Sequence, residues 1–239
     1  MTRAGRLYLV PAWLSEESEP EAALPARALE RVRSLDAFVV ESARSARRFL
    51  AACRHPKPMR EIAIAELNEH TDPAAVPALL APLVEGRDLG LLSEAGLPAV
   101  ADPGALLVEA AHARAIIVVP LVGPSSLMLA LMASGLQGQR FRFLGYLPVE
   151  GAARRERLAQ LERDSARDDE TQIFIETPYR NDALLADLLA TCRGGSRLAV
   201  AADLTAPAEW IRTDRIDGWK ARPSPAIGKR PAVFLLHAA

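Results

Sequence analysis

Cysteine is scarce in this chain: Cys53 and Cys192 are the two in 239 residues. They lie far apart, and neither has a Cys or His at metal-ligand spacing. That removes a zinc ribbon, a C-x-x-C redox centre and a disulfide scaffold. The expectation is two reduced thiols and no bound metal. Aromatic residues make up 5% of the chain. An excess of one charge is also lacking, with 29 basic against 30 acidic residues. Before Pro120 there are 13 basic and 16 acidic residues, and from there on 16 and 14. Neither half resembles a basic nucleic-acid tail, so contact with RNA would have to come from local patches. No G-x-G-x-x-G fingerprint, G-K-[ST] phosphate loop or G-x-S-x-G elbow occurs, which leaves the common nucleotide-binding and serine-hydrolase signatures without support.

A secretory leader and a membrane span are equally poorly supported. Arg3 and Arg6 precede an apolar run that is cut short by Glu16, Glu17 and Glu19, and this reads as a first strand. Ala115–Gln139 carries no charge and approaches the length of a span. Pro120, Gly123, Pro124, Ser125 and Ser126 interrupt it, so it divides into strand, turn and helix. The expected location is the cytoplasm, with no membrane contact.

Half of the residues are hydrophobic and a quarter charged, enough for a sizeable core in one large domain or two small ones. The first half alternates: strands are predicted at Leu7–Val10, Ala37–Val40, Ile62–Ala65, Leu89–Leu92 and Ile116–Val119. Helices are predicted at Ala26–Ser34, Ala43–Cys53, Pro73–Val84 behind the Asp72 cap, and Pro103–Ala113. Such alternation indicates a parallel sheet covered on both faces. In the second half the predicted helices are Ser125–Ser134, Arg154–Arg163 and Asn181–Cys192, and the predicted strands Phe141–Gly145 and Gln172–Glu176. Three further strands, Arg197–Ala202, Trp210–Thr213 and Ala232–His237, follow with little helix between them, which implies antiparallel pairing and a mixed sheet. The predicted architecture is two α/β domains, residues 1–120 with a parallel sheet and 121–239 with a mixed one.

The most informative segment is 89–104, Leu-Gly-Leu-Leu-Ser-Glu-Ala-Gly-Leu-Pro-Ala-Val-Ala-Asp-Pro-Gly. A short apolar strand breaks into a turn-rich loop that closes on Asp102-Pro103-Gly104, an N-cap acceptor with proline at the first helical position. Val122-Gly123-Pro124-Ser125-Ser126 opens a second helix similarly. Two such loops suggest a ligand bound largely through main-chain groups.

These pieces, in this order, resemble the tetrapyrrole-methylase-type S-adenosylmethionine methyltransferases. The closest branch resembles the ribosomal RNA small-subunit family that methylates a cytidine 2′-hydroxyl, in a shortened and divergent form. The likeness runs through Leu7–Pro11, Glu41 with Arg44, Asn68-Glu69-His70, Leu92–Pro98, Asp102–Gly104, Val122–Ser126 and Ser134–Leu136. It continues through Phe141–Pro148, Phe174–Pro178 with Arg180, and Asp203–Thr205. The resemblance implies a two-domain tetrapyrrole-methylase fold, a donor cleft between the domains and a homodimer. The implied donor is S-adenosylmethionine, with ribosomal RNA or the small subunit as acceptor. The donor contacts it implies are Pro11, Ser93, Glu94, Gly96, Val100, Ala101, Ser125, Ser126, Ile175 and Thr205.

The chain departs from the family pattern at Pro11-Ala12-Trp13-Leu14, at Glu41-Ser42-Ala43-Arg44 and at Ser93–Pro98. A ribose hydroxyl is a poor nucleophile near neutral pH, and a positioned carboxylate or imidazole would assist it. Candidates are Glu41, alternatively a helix cap; Asp102, alternatively an N-cap; and His70, alternatively an exposed loop residue. Trp13, Arg44 and Glu69 are substrate-side candidates. Trp13 could stack on a base or plug the site, and Arg44 shares its predicted helix with Arg47 and Arg48. Two other functions stay open: methylation of a small molecule such as a tetrapyrrole, and a catalytically silent paralogue that binds the donor.

Overall fold

The computed structural model describes residues 4–222 and 226–238; Arg3 lies outside them. The chain forms two compact units, Met1–Ser125 and Ser126–Ala239. Residues 121–125, assigned to the second domain from sequence, therefore belong to the first unit.

The first unit holds five strands: β1 (Leu7–Val10), β2 (Ala37–Val40), β3 (Ala63–Glu66), β4 (Leu89–Leu92) and β5 (Val118–Pro120). They form one parallel sheet in the order β3-β2-β4-β1-β5. Alternation along the strands sends side chains to two separate cores. Tyr8, Val10, Phe38, Val40 and Leu92 face α2 (Ala26–Ser34) and α3 (Ala43–Ala52). Leu7, Ala37, Val39, Leu89 and Leu91 face Leu80, Leu83 and the helix α5 (Gly104–His112). Both faces are covered, as the apolar strands require.

The segment after Asp72 differs from expectation. Asp72 does cap it, its Oδ1 accepting from the Ala74 N–H at 2.9 Å. Pro73–Leu80 then winds as tighter 3₁₀ turns before a single α turn, α4 (Ala81–Val84). Pro77 lies inside the 3₁₀ stretch and lacks the N–H that a continuous α-helix needs. A short helix, α1 (Pro20–Ala23), also occupies the acidic run, opened by its own proline.

The second unit begins with α6 (Ser126–Ser134), so the charge-free stretch does divide into β5, a turn and a helix. Among the described residues no helix is long and apolar enough to cross a membrane. The strands β6 (Phe141–Tyr146), β7 (Thr171–Ile175), β8 (Arg197–Ala202), β9 (Trp210–Arg215) and β10 (Ala232–His237) form a sheet ordered β6-β7-β10-β8-β9. The β6–β7 pair is parallel and the rest antiparallel, so the sheet is mixed. α7 (Gly151–Asp168) and α8 (Asn181–Thr191) pack on it around Leu158, Leu161, Leu184, Leu188, Phe174 and Phe234.

α7 starts earlier and ends later than expected. Glu150 caps it with both carboxylate oxygens, onto the Ala152 and Ala153 N–H groups, and the left-handed Asp169 stops it. A further helix, α9 (Ile216–Ala221), follows β9 and buries Trp219. Burial pushes both the Cys53 and Cys192 thiols up to about 12, which leaves them protonated and inert.

Trp219 ties α9 to the sheet. Its Nε1 donates to the Leu198 carbonyl at 2.9 Å, Trp210 meets it edge to face at 6.1 Å, and the Arg212 guanidinium lies 4.1 Å above its ring. Trp219→Phe keeps an aromatic ring but strands the buried Leu198 carbonyl, at an expected cost of about 1–3 kcal/mol. Thermal and urea unfolding would read this loss, and a variant as stable as the parent would refute the anchoring role.

Candidate active site

β1 and β4 are neighbours, yet their outgoing connections part. The chain leaving Val10 runs to α2 on one face, and the chain leaving Leu92 runs to α5 on the other. Where connections diverge in this way, an open parallel sheet leaves a crevice at its carboxyl edge, the usual place for a ligand. Two main-chain hydrogen bonds tie the loops there: Ala12 N–H to Gly96 O at 2.8 Å, and Gly96 N–H to Trp13 O at 3.4 Å. Gly123 closes the same corner. A Cβ on it would fall 2.2 Å from the Pro11 Cβ, so only glycine fits.

The loop after β4 is held in an unusual backbone state. Gly96, Ala99 and Ala101 have φ of 70°, 66° and 64°. For alanine this conformation costs about 1–2 kcal/mol per residue, so the surroundings must over-determine it. Asp102 supplies part of that restraint: its Oδ1 accepts from the Ala99 N–H at 2.9 Å and the Gly104 N–H at 2.7 Å. The same oxygen thus clamps the loop and caps α5. Its Oδ2 is buried and has no partner within the protein.

Glu41 stands at the end of β2, beside this loop. Its N–H donates to the Leu92 carbonyl at 3.2 Å, and its Oε2 accepts from the Glu94 N–H at 3.2 Å. Glu41, Ser93, Asp102 and Gly104 line a crevice of about 10 Å³, the size of a single water. Burial raises the Glu41 pKa above the usual carboxylate range, against the Glu94 N–H, and the Asp102, Glu94 and Glu69 charges push the same way. Burial likewise raises Asp102, opposed by its two backbone N–H donors.

The other candidates sort by placement. Ser93 is buried and donates to the Ala95 carbonyl at 3.2 Å. Glu94 is exposed, and its Oε1 accepts from the Ser45 hydroxyl at 2.9 Å. Pro11 is buried, whereas Val100 and Ala101 are exposed on the outer side of the strained loop. Ser125 and Ser126 are half-buried at the start of α6. In the second unit Ile175 ends β7, and Thr205 is exposed with φ of 69°, its N–H donating to Glu209 Oε2 at 2.9 Å.

Trp13 packs inward. It is 9% exposed and meets Phe49 edge to face at 5.5 Å, so its ring is taken up by the α2–α3 core. His70 and Glu69 project to solvent, each side chain 85% exposed, 3.6 Å from one another. Arg44 is exposed on α3. Glu41, Ser93, Glu94 and Asp102 are thus brought together, while His70 and Arg44 stand outside the crevice.

Two supporting residues escape a reading of the sequence. Ser45 anchors Glu94, and Glu66 accepts from the Ala43 N–H at 2.8 Å at the start of α3. Neither has a local signal, because each partner is distant in sequence. Among the described residues no group of three or more His, Cys, Asp or Glu could hold a metal ion.

The double clamp by Asp102 predicts an asymmetry between two substitutions. Asp102→Ala removes the acceptor for two N–H groups and is expected to cost about 1–2 kcal/mol, while Asp102→Asn keeps an oxygen there and costs less. Equal losses in thermal unfolding would contradict the clamp.

The model for "Tetrapyrrole (Corrin/Porphyrin) Methylases" matches residues 21–218. A ribosomal RNA small subunit methyltransferase I of Xylella fastidiosa is 36% identical, over 84% of this chain and 69% of its own. Its namesake in Micromonospora olivasterospora is 33% identical over 92% of this chain and 66% of its own. The chain therefore spans about two thirds of the length of these relatives. Among solved structures, the methyltransferase CobJ covers 99% of this chain and is itself covered to 95%, with a TM-score of 0.65 at 18% identity. The uroporphyrin-III-C-methyltransferase of Thermus thermophilus covers 98% and is covered to 92%, with a TM-score of 0.55 at 20% identity. Those two likenesses concern the fold. The chain belongs to the tetrapyrrole methylase family, whose methyl donor is S-adenosylmethionine.

Proposed function

We propose that this protein methylates small-subunit ribosomal RNA at a ribose 2′-hydroxyl. The observation that carries the reading is the 36% identity to a ribosomal RNA small subunit methyltransferase I over 84% of the chain. The residues present suit the donor. Asp102 Oδ2, buried without a protein partner, is an acceptor for an ammonium group. The exposed main chain of the strained loop adds further polar contacts, and Ile175 and Thr205 are the second-unit contacts carried over from the family likeness. When bound, S-adenosylmethionine supplies an activated methyl group.

The protein's own task is to align an acceptor oxygen and remove one proton. Glu41 is the residue best placed for the proton. It is half-buried, held by the Glu94 N–H, and raised in pKa towards neutrality, where a carboxylate is a more effective base. Asp102 acts as a positioning residue through the loop it clamps. Trp13 is turned into the core and does not stand outward from its loop, so the departure at 11–14 is no argument for a silent paralogue. The reading includes a cytoplasmic enzyme that works as a homodimer.

Two experiments test this. Calorimetry should show S-adenosylmethionine and its demethylated product binding once per chain, in a particle that light scattering sizes at two chains. Labelled methyl should then pass to small subunits isolated from cells lacking this protein. Label confined to a low-molecular-weight fraction would assign the enzyme to a small acceptor instead. The Glu41 assignment has its own signature. A base works deprotonated, so kcat/KM should fall as pH drops through a pKa above the ordinary carboxylate range. Glu41→Gln should lower kcat by about a hundredfold or more and abolish that limb. An unchanged pH profile in the variant would remove Glu41 from the chemistry.

A further inference from the structure

β6 ends in an irregularity that lets both Leu144 and Leu147 pack on the core of the second unit. Its parallel register with β7 slips between Phe143 and Tyr146, and Gly145 between them adopts φ of 66°. A bulge of this kind re-aims the side chain that follows. Tyr146, paired in register with Ile175, is left 59% exposed at the carboxyl edge of the sheet. On the adjacent strand the turn Pro178–Arg180 follows β7 and leaves Tyr179 71% exposed. Two large aromatic rings therefore face solvent from the ends of neighbouring parallel strands, in a chain where aromatics are scarce.

A fixed cation accompanies them. Arg180 Nε and Nη2 both donate to Glu176 Oε1, at 2.9 and 2.5 Å, and the Glu176 side chain is fully buried. The Arg180 guanidinium lies 5.5 Å from the centre of the Tyr179 ring. Tyr146 pairs in register with Ile175, the residue before the Glu176 that holds Arg180. Of the other acids near them in sequence, Glu150 is spent on the cap of α7 and Asp182 accepts from the Ile227 and Gly228 N–H groups. Exposed rings beside a cation held by a buried carboxylate suit a ligand that combines flat bases with anionic groups.

We propose that Tyr146, Tyr179 and Arg180 form a stacking platform for unpaired bases of the RNA acceptor, with Arg180 facing a phosphate. The inference rests on the RNA reading above and assigns that acceptor a specific surface. Stacking on a tyrosine needs its ring and not its hydroxyl, which separates this role from hydrogen bonding. The platform binds single-stranded segments with little preference for the base itself, so it holds the acceptor strand and leaves the choice of nucleotide to other contacts.

The test uses the full chain with a single-stranded RNA nonamer carrying 2-aminopurine, followed by intact small subunits. The parent protein should quench the 2-aminopurine on binding. Tyr146→Ala and Tyr179→Ala should each weaken RNA binding about tenfold. They should raise KM for the small subunit similarly, with kcat within about twofold and donor affinity unchanged. Tyr146→Phe and Tyr179→Phe should restore binding. If the parent binds RNA and both alanine variants bind it equally well, the platform is refuted while the ribosomal reading stands. If the parent binds the donor but no RNA, and labels no subunit, both fall. Binding of a carboxylated porphyrin that the alanine variants lose, with RNA binding unaffected, would also overturn the proposal.

Discussion

The seam between the loops that follow β1 and β4 is the constraint on which the rest of the first unit depends. Adjacent parallel strands whose connections leave to opposite faces cannot close their carboxyl edge with side chains alone. Here the gap is bridged by main chain, through the paired hydrogen bonds of Gly96 with Ala12 and Trp13. Gly123 sits against Pro11 at the same corner. A ligand approaching that edge meets peptide groups in a fixed arrangement. Such groups bind through oriented dipoles and do not require a charged or nucleophilic side chain.

Backbone strain and carboxylate burial are two aspects of one design. Ala99 and Ala101 are held in left-handed conformations by a loop whose far end is clamped by Asp102. The clamp draws the carboxylate out of solvent and leaves one oxygen without a protein partner. Glu41 is drawn in by the same loop through the Glu94 N–H, and Glu94 is steadied in turn by Ser45. Two carboxylates with raised pKa values thus arise from the geometry of one connection. Buried carboxylates with raised pKa values gathered in a crevice make it a candidate site of chemistry.

The second unit solves a different problem. Its sheet needs one parallel pair, β6 with β7, inside an otherwise antiparallel arrangement. The slip in that pair and the buried Glu176 beneath Arg180 both lie at its carboxyl end. The proposed platform lies there for the same reason as the crevice in the first unit. Loops leaving parallel strands start from a rigid edge and carry their side chains in defined directions.

Local chemistry in the chain was enough to read most of the elements. Apolar runs of strand length marked β1, β2 and β4, and Asp72 and Asp102 announced caps that the structure contains. The charge-free stretch was broken at its prolines and glycine into β5 and α6. These signals are legible because each depends on neighbours within a few residues. The helix α9 was not, since burial of Trp219 against a distant sheet decides it, whereas the break at Pro77 and the Glu150 cap and Asp169 stop of α7 are local signals that the apolar pattern alone did not carry. The same division holds at the site. Glu41 and Asp102 stood out as chemically apt, but only tertiary structure put them on one crevice, turned Trp13 into the core and left His70 in solvent. Side-chain direction at a sheet edge depends on strand order and on how connections diverge, and neither is a local property of the chain.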